Sequence, residues 1–256
     1  MKSNYIIIIG LLVATMLATT GCKKYPYING NGQVTTEKRQ LVSFNQVDNS
    51  GTFNVFVKQD SVFTATVEAE SNLIPYVRTI INGNTLEIDT RENFRENYPI
   101  NVYVTTPTIQ GIELSGSGYV KIDSVDADYL QVILSGSGQM DGYAVTNSLV
   151  AKISGSVNIN LESYTNTSDI KISGSGDINL TGESLSGSCT ISGSGQINSY
   201  SFTQNECTAK ISGSGNMFLN VVNYLDVTIS GSGSIYYIGD PSINVSITGS
   251  GQLIKQ

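Results

Sequence analysis

Ile170-Lys171-Ile172-Ser173-Gly174-Ser175-Gly176-Asp177-Ile178-Asn179 decides the fold, because its central phrase returns at a nearly fixed interval. SGSG stands at Ser115, Ser135, Ser173, Ser192, Ser212 and Ser230, with SGSV at Ser154 and TGSG at Thr248. Successive starts are 20, 19, 19, 19, 20, 18 and 18 residues apart. A period near 19 means one structural unit stacked on copies of itself. One residue before each phrase stands Leu114, Leu134, Ile153, Ile172, Ile191, Ile211, Ile229 or Ile247. Three before it, and five after its first residue, the chain is again always apolar. Apolar spacings of two are strand spacings, since alternate side chains share a face.

Each unit therefore reads as strand, SGSG, strand, turn. One unit cannot bury its own apolar residues, but stacked units turn each column into a continuous file such as Ile153-Ile172-Ile191-Ile211. At about 4.8 Å per strand, eight units make a core about 38 Å long. Parallel strands joined by crossovers favour one hand, so the expected fold is all-β: a right-handed parallel β-helix with about 19 residues per turn. The glycines are expected to supply positive φ and close approach at the bend. The serines are expected to share hydroxyl hydrogen bonds between turns. Asn160, Asn179 and Asn198 fall in one column and predict an amide ladder.

Ahead of the repeat, 41–110 carries strand-like alternation with irregular spacing: Phe53-Asn54-Val55-Phe56-Val57, Leu86-Glu87-Ile88 and Ile100-Asn101-Val102-Tyr103-Val104. It reads as irregular turns plus an N-terminal cap over the open core, with a separate small β-domain as the alternative. Arg91–Tyr98 is expected to protrude as a loop. Residues 22–40 read as a flexible tether, and 111–256 as the repeat proper.

The chain opens Met1-Lys2 and runs apolar from Tyr5 to Leu17 before Gly21-Cys22. Residues 1–21 read as a secretory signal, and the Gly-Cys end resembles a bacterial lipoprotein processing site. That resemblance makes Cys22 the lipid attachment point and gives an outer-membrane, lipid-anchored protein of the cell envelope, on the surface or the periplasmic face. A plain cleaved signal with an incidental Cys is the other reading. Cys189 and Cys207 sit on adjacent turns, offset by two residues. Their α-carbons should then lie about 8 Å apart, beyond bridging range, which predicts buried free thiols.

Phe53-Asn54-Val55, Asn72-Leu73-Ile74, Leu86-Glu87-Ile88, Val102-Tyr103-Val104-Thr105 and the repeated SGSG-x-I-N resemble the putative auto-transporter adhesin, head GIN domain family. Gly176-Asp177-Ile178-Asn179, Gly195-Gln196-Ile197-Asn198 and Ile235-Tyr236-Tyr237-Ile238-Gly239-Asp240-Pro241 extend that resemblance across nearly all of 41–256. It implies a β-helical, secreted or lipid-anchored protein of the Bacteroidetes. It carries no catalytic residues, and fold-level analogy alone is a weak warrant for adhesion.

The chemistry is restricted. The chain has no His, which excludes a Ser-His-Asp triad and His-ligated zinc. Gly-x-Gly between strands lacks the following helix that a dinucleotide fingerprint needs. One Asp in the column Tyr119, Gln139, Asn158, Asp177, Gln196, Asn216, Ser234, Gln252 cannot build a calcium β-roll. Asp123, Asp126 and Asp128 form an acidic turn, solvated rather than calcium-binding on this reading. No carboxylates pair across turns as a glycosidase would need. A net charge of −7 without a basic run argues against nucleic acid. The sequence thus points to a protein that is not an enzyme, with no cofactor and no metal. The leading reading is an adhesin presenting a rigid surface to a glycan or protein. The alternatives are an envelope scaffold partnering other proteins and a degenerate carbohydrate-active enzyme. The candidate ligand contacts are Tyr224, Tyr236 and Tyr237, close to Phe218, against the alternative that they pack over the last core layer.

Overall fold

The β-helix is present, and its regularity follows from the repeat. The computed structural model describes residues 27–256; the signal segment and Cys22 lie outside them. The strands before the repeat are β1 (Ile28–Asn29), β2 (Val34–Gln40), β3 (Gln46–Asn49), β4 (Asn54–Gln59), β5 (Thr64–Glu70), β6 (Arg78–Asn82), β7 (Thr85–Asp89), β8 (Phe94–Arg95) and β9 (Asn101–Thr106). The repeat supplies β10 (Gly111–Leu114), β11 (Tyr119–Leu134), β12 (Gln139–Ile153), β13 (Asn158–Ile172), β14 (Asp177–Ile191), β15 (Gln196–Ile211), β16 (Asn216–Ile229), β17 (Ile235–Ile238), β18 (Ser242–Ile247) and β19 (Leu253–Lys255).

Each long strand leaves one SGSG phrase, rounds a corner and runs to the next. β13 pairs in parallel with β12 and β14, so Ile159 lies between Met140 and Ile178, and Ile172 between Ile153 and Ile191. All of these side chains are buried. Turns of 19 residues stack without a register shift. The two intervals of 20 carry bulges instead, one in β11 near Ile122–Val125 and one in β15, where Ser199 and Tyr200 together face Leu180. An extra residue in a ladder has no partner and must bulge.

The glycines are needed for a reason the sequence only half indicates. Positive φ occurs at Gly32, Gly83, Gly182 and Gly239, and at none of the phrase glycines. Close approach alone explains those: a Cβ on Gly193 would stand 1.9 Å from the Gly174 carbonyl oxygen. The expected serine hydroxyl ladder is also replaced. Backbone bonds link the phrases, such as Ser175 N–H to Gly155 O at 3.0 Å and Ser194 N–H to Gly174 O at 3.0 Å, while the serine side chains face outward.

Before the repeat, space and sequence part company. β3 and β4 pair with β10 and β11, continuing the solenoid. β7 and β9 then lie beyond them, pairing with β3 and β4. β5 and β6 run antiparallel to β9 and β7, and β2 runs antiparallel to β5. Leu73, Ile74 and Val77, between β5 and β6, are buried and close this end of the core. The region thus joins the solenoid in one continuous sheet.

Two expectations are corrected here. The tether over 22–40 is interrupted by order: Val34–Gln40 is a seven-residue strand paired along its length with Thr64–Glu70. Its backbone completes the edge that β5 would otherwise expose. Arg91–Tyr98 does not stand free either. β8 pairs with β1, and Asn97 donates to Glu70 from its N–H and Nδ2, both at 2.8 Å. Cys189 and Cys207 are buried free thiols, with Cys207 opposite Gly187 and Cys189 opposite Ala209, the two-residue offset expected. The neighbouring Cys189 thiol and burial push the Cys207 thiol well above its ordinary range, leaving it in its unreactive protonated form.

One column of the cap stores unfavourable charge. Asp48 in β3 lies in register between Glu87 of β7 and Glu113 of β10. Burial, then Glu113, Glu87 and Asp89, pushes its carboxyl up to about 6. The folded protein therefore holds this proton more tightly than the unfolded chain does. The site is most favourable below about pH 4, and that stability is lost as pH rises through about 6. Asp48→Asn should raise the melting temperature at pH 7.5 by about 2–4 °C, which is about 1 kcal/mol after allowing for solvent screening. The gain should vanish at pH 4. Equal melting of the two proteins at pH 7.5 would show that the acidic column carries no strain.

Candidate ligand-binding face

Residues one step after the buried Met140-Ile159-Ile178-Ile197-Met217-Ile235 file point outward by strand alternation. In register they read Asp141, Asn160, Asn179, Asn198, Phe218, Tyr236 and Ile254. The amide ladder forms as expected. Asn198 Nδ2 donates to Asn179 Oδ1 at 2.8 Å, Asn179 to Asn160 at 2.8 Å, and Asn160 to Asp141 at 2.7 Å. At the far end Tyr119 donates its hydroxyl proton to Asp141 at 2.7 Å. Burial works to raise the Asp141 carboxyl, but the bonds from Asn160, Tyr119 and Gln139 outweigh it and hold it below its ordinary value. Burial and the Asp141 contact push the Tyr119 phenol up to about 12. The ladder is thus anchored on one fixed negative charge, and every amide is aimed the same way.

Where the ladder ends, aromatics begin. Phe218 and Tyr236 stack with centroids 5.1 Å apart and planes 9° from parallel. Tyr200 meets Phe218 edge-on at 5.6 Å. Tyr200 belongs to the β15 bulge, whose extra residue turns a side chain onto the outer face beside Phe218. Asn179, Thr181, Gln196, Asn198, Tyr200 and Phe218 line a shallow depression of ≈ 380 Å³ together with Leu180 and Ser201. The depression therefore has an apolar aromatic wall and an amide wall. The Asn198 Oδ1 is the terminal acceptor of the ladder. Burial, followed by the nearby Tyr236, raises the Tyr200 phenol, so its hydroxyl stays a proton donor across the ordinary pH range.

The structure separates the three tyrosines singled out in the sequence. Tyr236 is in this cluster. Tyr237 is 8% exposed and faces the core, because it lies two residues from Ile235 and shares its inward face. That corrects its place among ligand contacts. Tyr224 is 42% exposed but stands past the corner, opposite Glu206 and Ser242, away from the cluster. Phe218 is confirmed as their neighbour only for Tyr236. Tyr200 escaped the sequence reading, although the 20-residue interval from Ser192 to Ser212 marks the turn that carries it.

A stacked all-β solenoid with a closed N-terminal end and one decorated flank is the protein class these features define. The chain belongs to the family described as putative auto-transporter adhesin, head GIN domain, whose pattern matches residues 43–179 and 144–241. Solved structures share the fold. One, described as a putative adhesin from Parabacteroides merdae, is 23% identical, covering 90% of this chain and 99% of its own with a TM-score of 0.85. A second, described as a putative lipid binding protein from Parabacteroides distasonis, is 25% identical, covering 90% and 100%, with a TM-score of 0.85. A third, described as a putative adhesin from Bacteroides fragilis, is 22% identical over 90% and 100% of the chains, with a TM-score of 0.70. No curated protein matches the chain. The family's adhesin-like description associates the chain with the cell surface or envelope.

Proposed function

We propose that the protein is a non-catalytic adhesin of the cell envelope, lipid-anchored through Cys22, and that the depression walled by Tyr200 and Phe218, with Tyr236 stacked on Phe218, binds a glycan. The observation that carries this reading is the junction of an aromatic stack with the open end of an amide ladder. Sugar rings offer apolar C–H faces and hydroxyl edges. Aromatic rings take the first and amides the second. The rigid ladder pre-organises the amides, so little side-chain freedom is lost on binding.

The test is a glycan array probed with the purified protein and with Phe218→Ala and Tyr236→Ala. Binding to a defined glycan class should fall about 10- to 100-fold in either variant, the range for losing an aromatic anchor. Melting should shift little, because both rings are partly exposed on the outer face. A bound glycan whose affinity ignores both substitutions would remove the site. Antibody labelling of intact cells tests the location. Labelling only after the outer membrane is opened would replace adhesion with the periplasmic scaffold reading.

A further inference from the structure

The two ends of the solenoid are built differently, and the difference specifies a partner. At the N-terminal end, antiparallel β5 and β6 and buried Leu73, Ile74 and Val77 close the core. At the other end no described residue covers the last turn. Ile243, Val245 and Ile247 of β18 stand in register with Leu225, Val227 and Ile229 of β16. The β16 residues are 0%, 1% and 0% exposed; their β18 counterparts are 39%, 49% and 41% exposed. Leu253 is likewise only partly covered, while Ile235 beneath it is fully buried. These are core residues by sequence pattern, and no described residue covers them.

The edge also lacks the features that keep strands apart. Residues 242–254, Ser-Ile-Asn-Val-Ser-Ile-Thr-Gly-Ser-Gly-Gln-Leu-Ile, contain no charged residue and no proline. Edge strands are ordinarily protected by lysines, inward charges, bulges or a covering element. The flanking charges, Asp240 and Lys255, are bonded to each other at 2.8 Å and leave the edge neutral.

We infer that this face pairs with the same face of a second copy of the chain, tail to tail. A two-fold axis perpendicular to the solenoid sets β18 antiparallel to the partner's β18, and β19 antiparallel to the partner's β19. The free main-chain groups of each edge then find partners, and the apolar files run on across the junction. The covered area follows from the turn's dimensions. A half-turn of about seven residues is about 23 Å long, and two sheets about 10 Å apart with their backbones span about 20 Å. Each copy then loses about 460 Å² and the pair about 920 Å², just under the ~1,000 Å² of a stable specific interface and in the range of a weak, reversible one. The closed N-terminal cap rules out head-to-tail stacking, so assembly stops at two. A dimer would carry two ligand faces, and two tethered sites bind a multivalent surface more tightly than one.

Sedimentation of the purified chain between about 1 and 100 µM tests this, a span set by the affinity expected of a small interface. The expected result is a reversible dimer whose average mass rises with concentration. Val245→Lys places a charge in the middle of the junction and should weaken dimerisation at least about 100-fold. Ile243→Lys should do the same. Both positions are exposed in the single chain, so melting of dilute protein should be unchanged. Val42→Lys, at an exposed valine in the segment between β2 and β3, should leave the dimer intact. A chain that stays monomeric at the highest concentration overturns the inference. So does a dimer that survives both β18 substitutions, since its interface then lies elsewhere.

Discussion

Ile191→Asp should abolish the folded state at neutral pH, while Thr190→Asp, one residue earlier, should leave it intact. Ile191 is fully buried in the file Ile153-Ile172-Ile191-Ile211, every member of which is 1% exposed or less. Losing the aliphatic side chain costs about 2–5 kcal/mol. Burying a carboxylate without a partner adds several kcal/mol more, or forces the group to stay protonated. Together these match the whole stability of an ordinary domain, about 5–15 kcal/mol. The damage is worse at mid-solenoid, because stability there depends on both neighbouring turns. Thr190 points the other way and lies between Lys171 and Lys210. An aspartate there meets two cations on adjacent strands and should cost nothing measurable. Circular dichroism and thermal melting of the pair, with Ile191→Val as a conservative control losing about 0.5–1.5 kcal/mol, decide the matter. If Ile191→Asp melts like the parent, the inward register of the whole repeat is wrong.

That such a test can be written from one phrase shows how much a period of 19 conveys. The inward files, the amide ladder through Asn160, Asn179 and Asn198, and the offset between Cys189 and Cys207 all follow from counting residues from SGSG. Counting works where turns are equal and fails where they are not. Tyr200 sits where the count slips by one, and the bulge that absorbs the slip aims it at Phe218. Tyr237 was within reach of the same logic, since two residues from Ile235 means the same face. Tyr224 was not, because a corner separates it from Phe218 and the corner's direction is not written in alternation. The spatial order of the cap was also hidden. Nothing in Thr85–Asp89 or Asn101–Thr106 says that they pack outside Gln46–Asn49 and Asn54–Gln59, because irregular spacing leaves no column to count. The exposure of the C-terminal layer was hidden for the opposite reason. Its TGSG and flanking residues look like every other turn, and what sets it apart is that no described residue packs above Val245, which is 49% exposed.

Gly193→Ala, a single added methyl, should cost about 3 kcal/mol or more, and the reason is the spacing of the turns rather than the conformation of the residue. Gly193 does not adopt positive φ, so its backbone would accept alanine in isolation. The stacked turn below would not. The added Cβ would lie 1.9 Å from Gly174 O and 2.7 Å from Ser173 O. Those oxygens belong to backbone held by Ser192 N–H to Ile172 O at 2.8 Å and Ser194 N–H to Gly174 O at 3.0 Å. Relief requires the two turns to part at that edge, which lengthens both bonds and opens the packing of Ile191 on Ile172. All eight units keep glycine at this first position. The second position differs, because Val157 occupies it in one unit and is buried. The backbone bonds around it persist, Ser156 N–H to Gly136 O at 3.2 Å and Asp177 N–H to Val157 O at 3.1 Å. An inward side chain can therefore be absorbed at the second position. Gly195→Ala, although its Cβ also starts 1.9 Å from a carbonyl oxygen, Gly176 O, should cost distinctly less than Gly193→Ala. Thermal melting of the two alanine variants separates the cases. Gly193→Ala should melt about 6–12 °C below the parent, at 2–4 °C per kcal/mol for a chain of this size, and Gly195→Ala between the two. Equal losses would mean that the phrase glycines are interchangeable. No loss at Gly193 would mean that the turns are free to spread, and the tight edge would no longer explain why the phrase repeats.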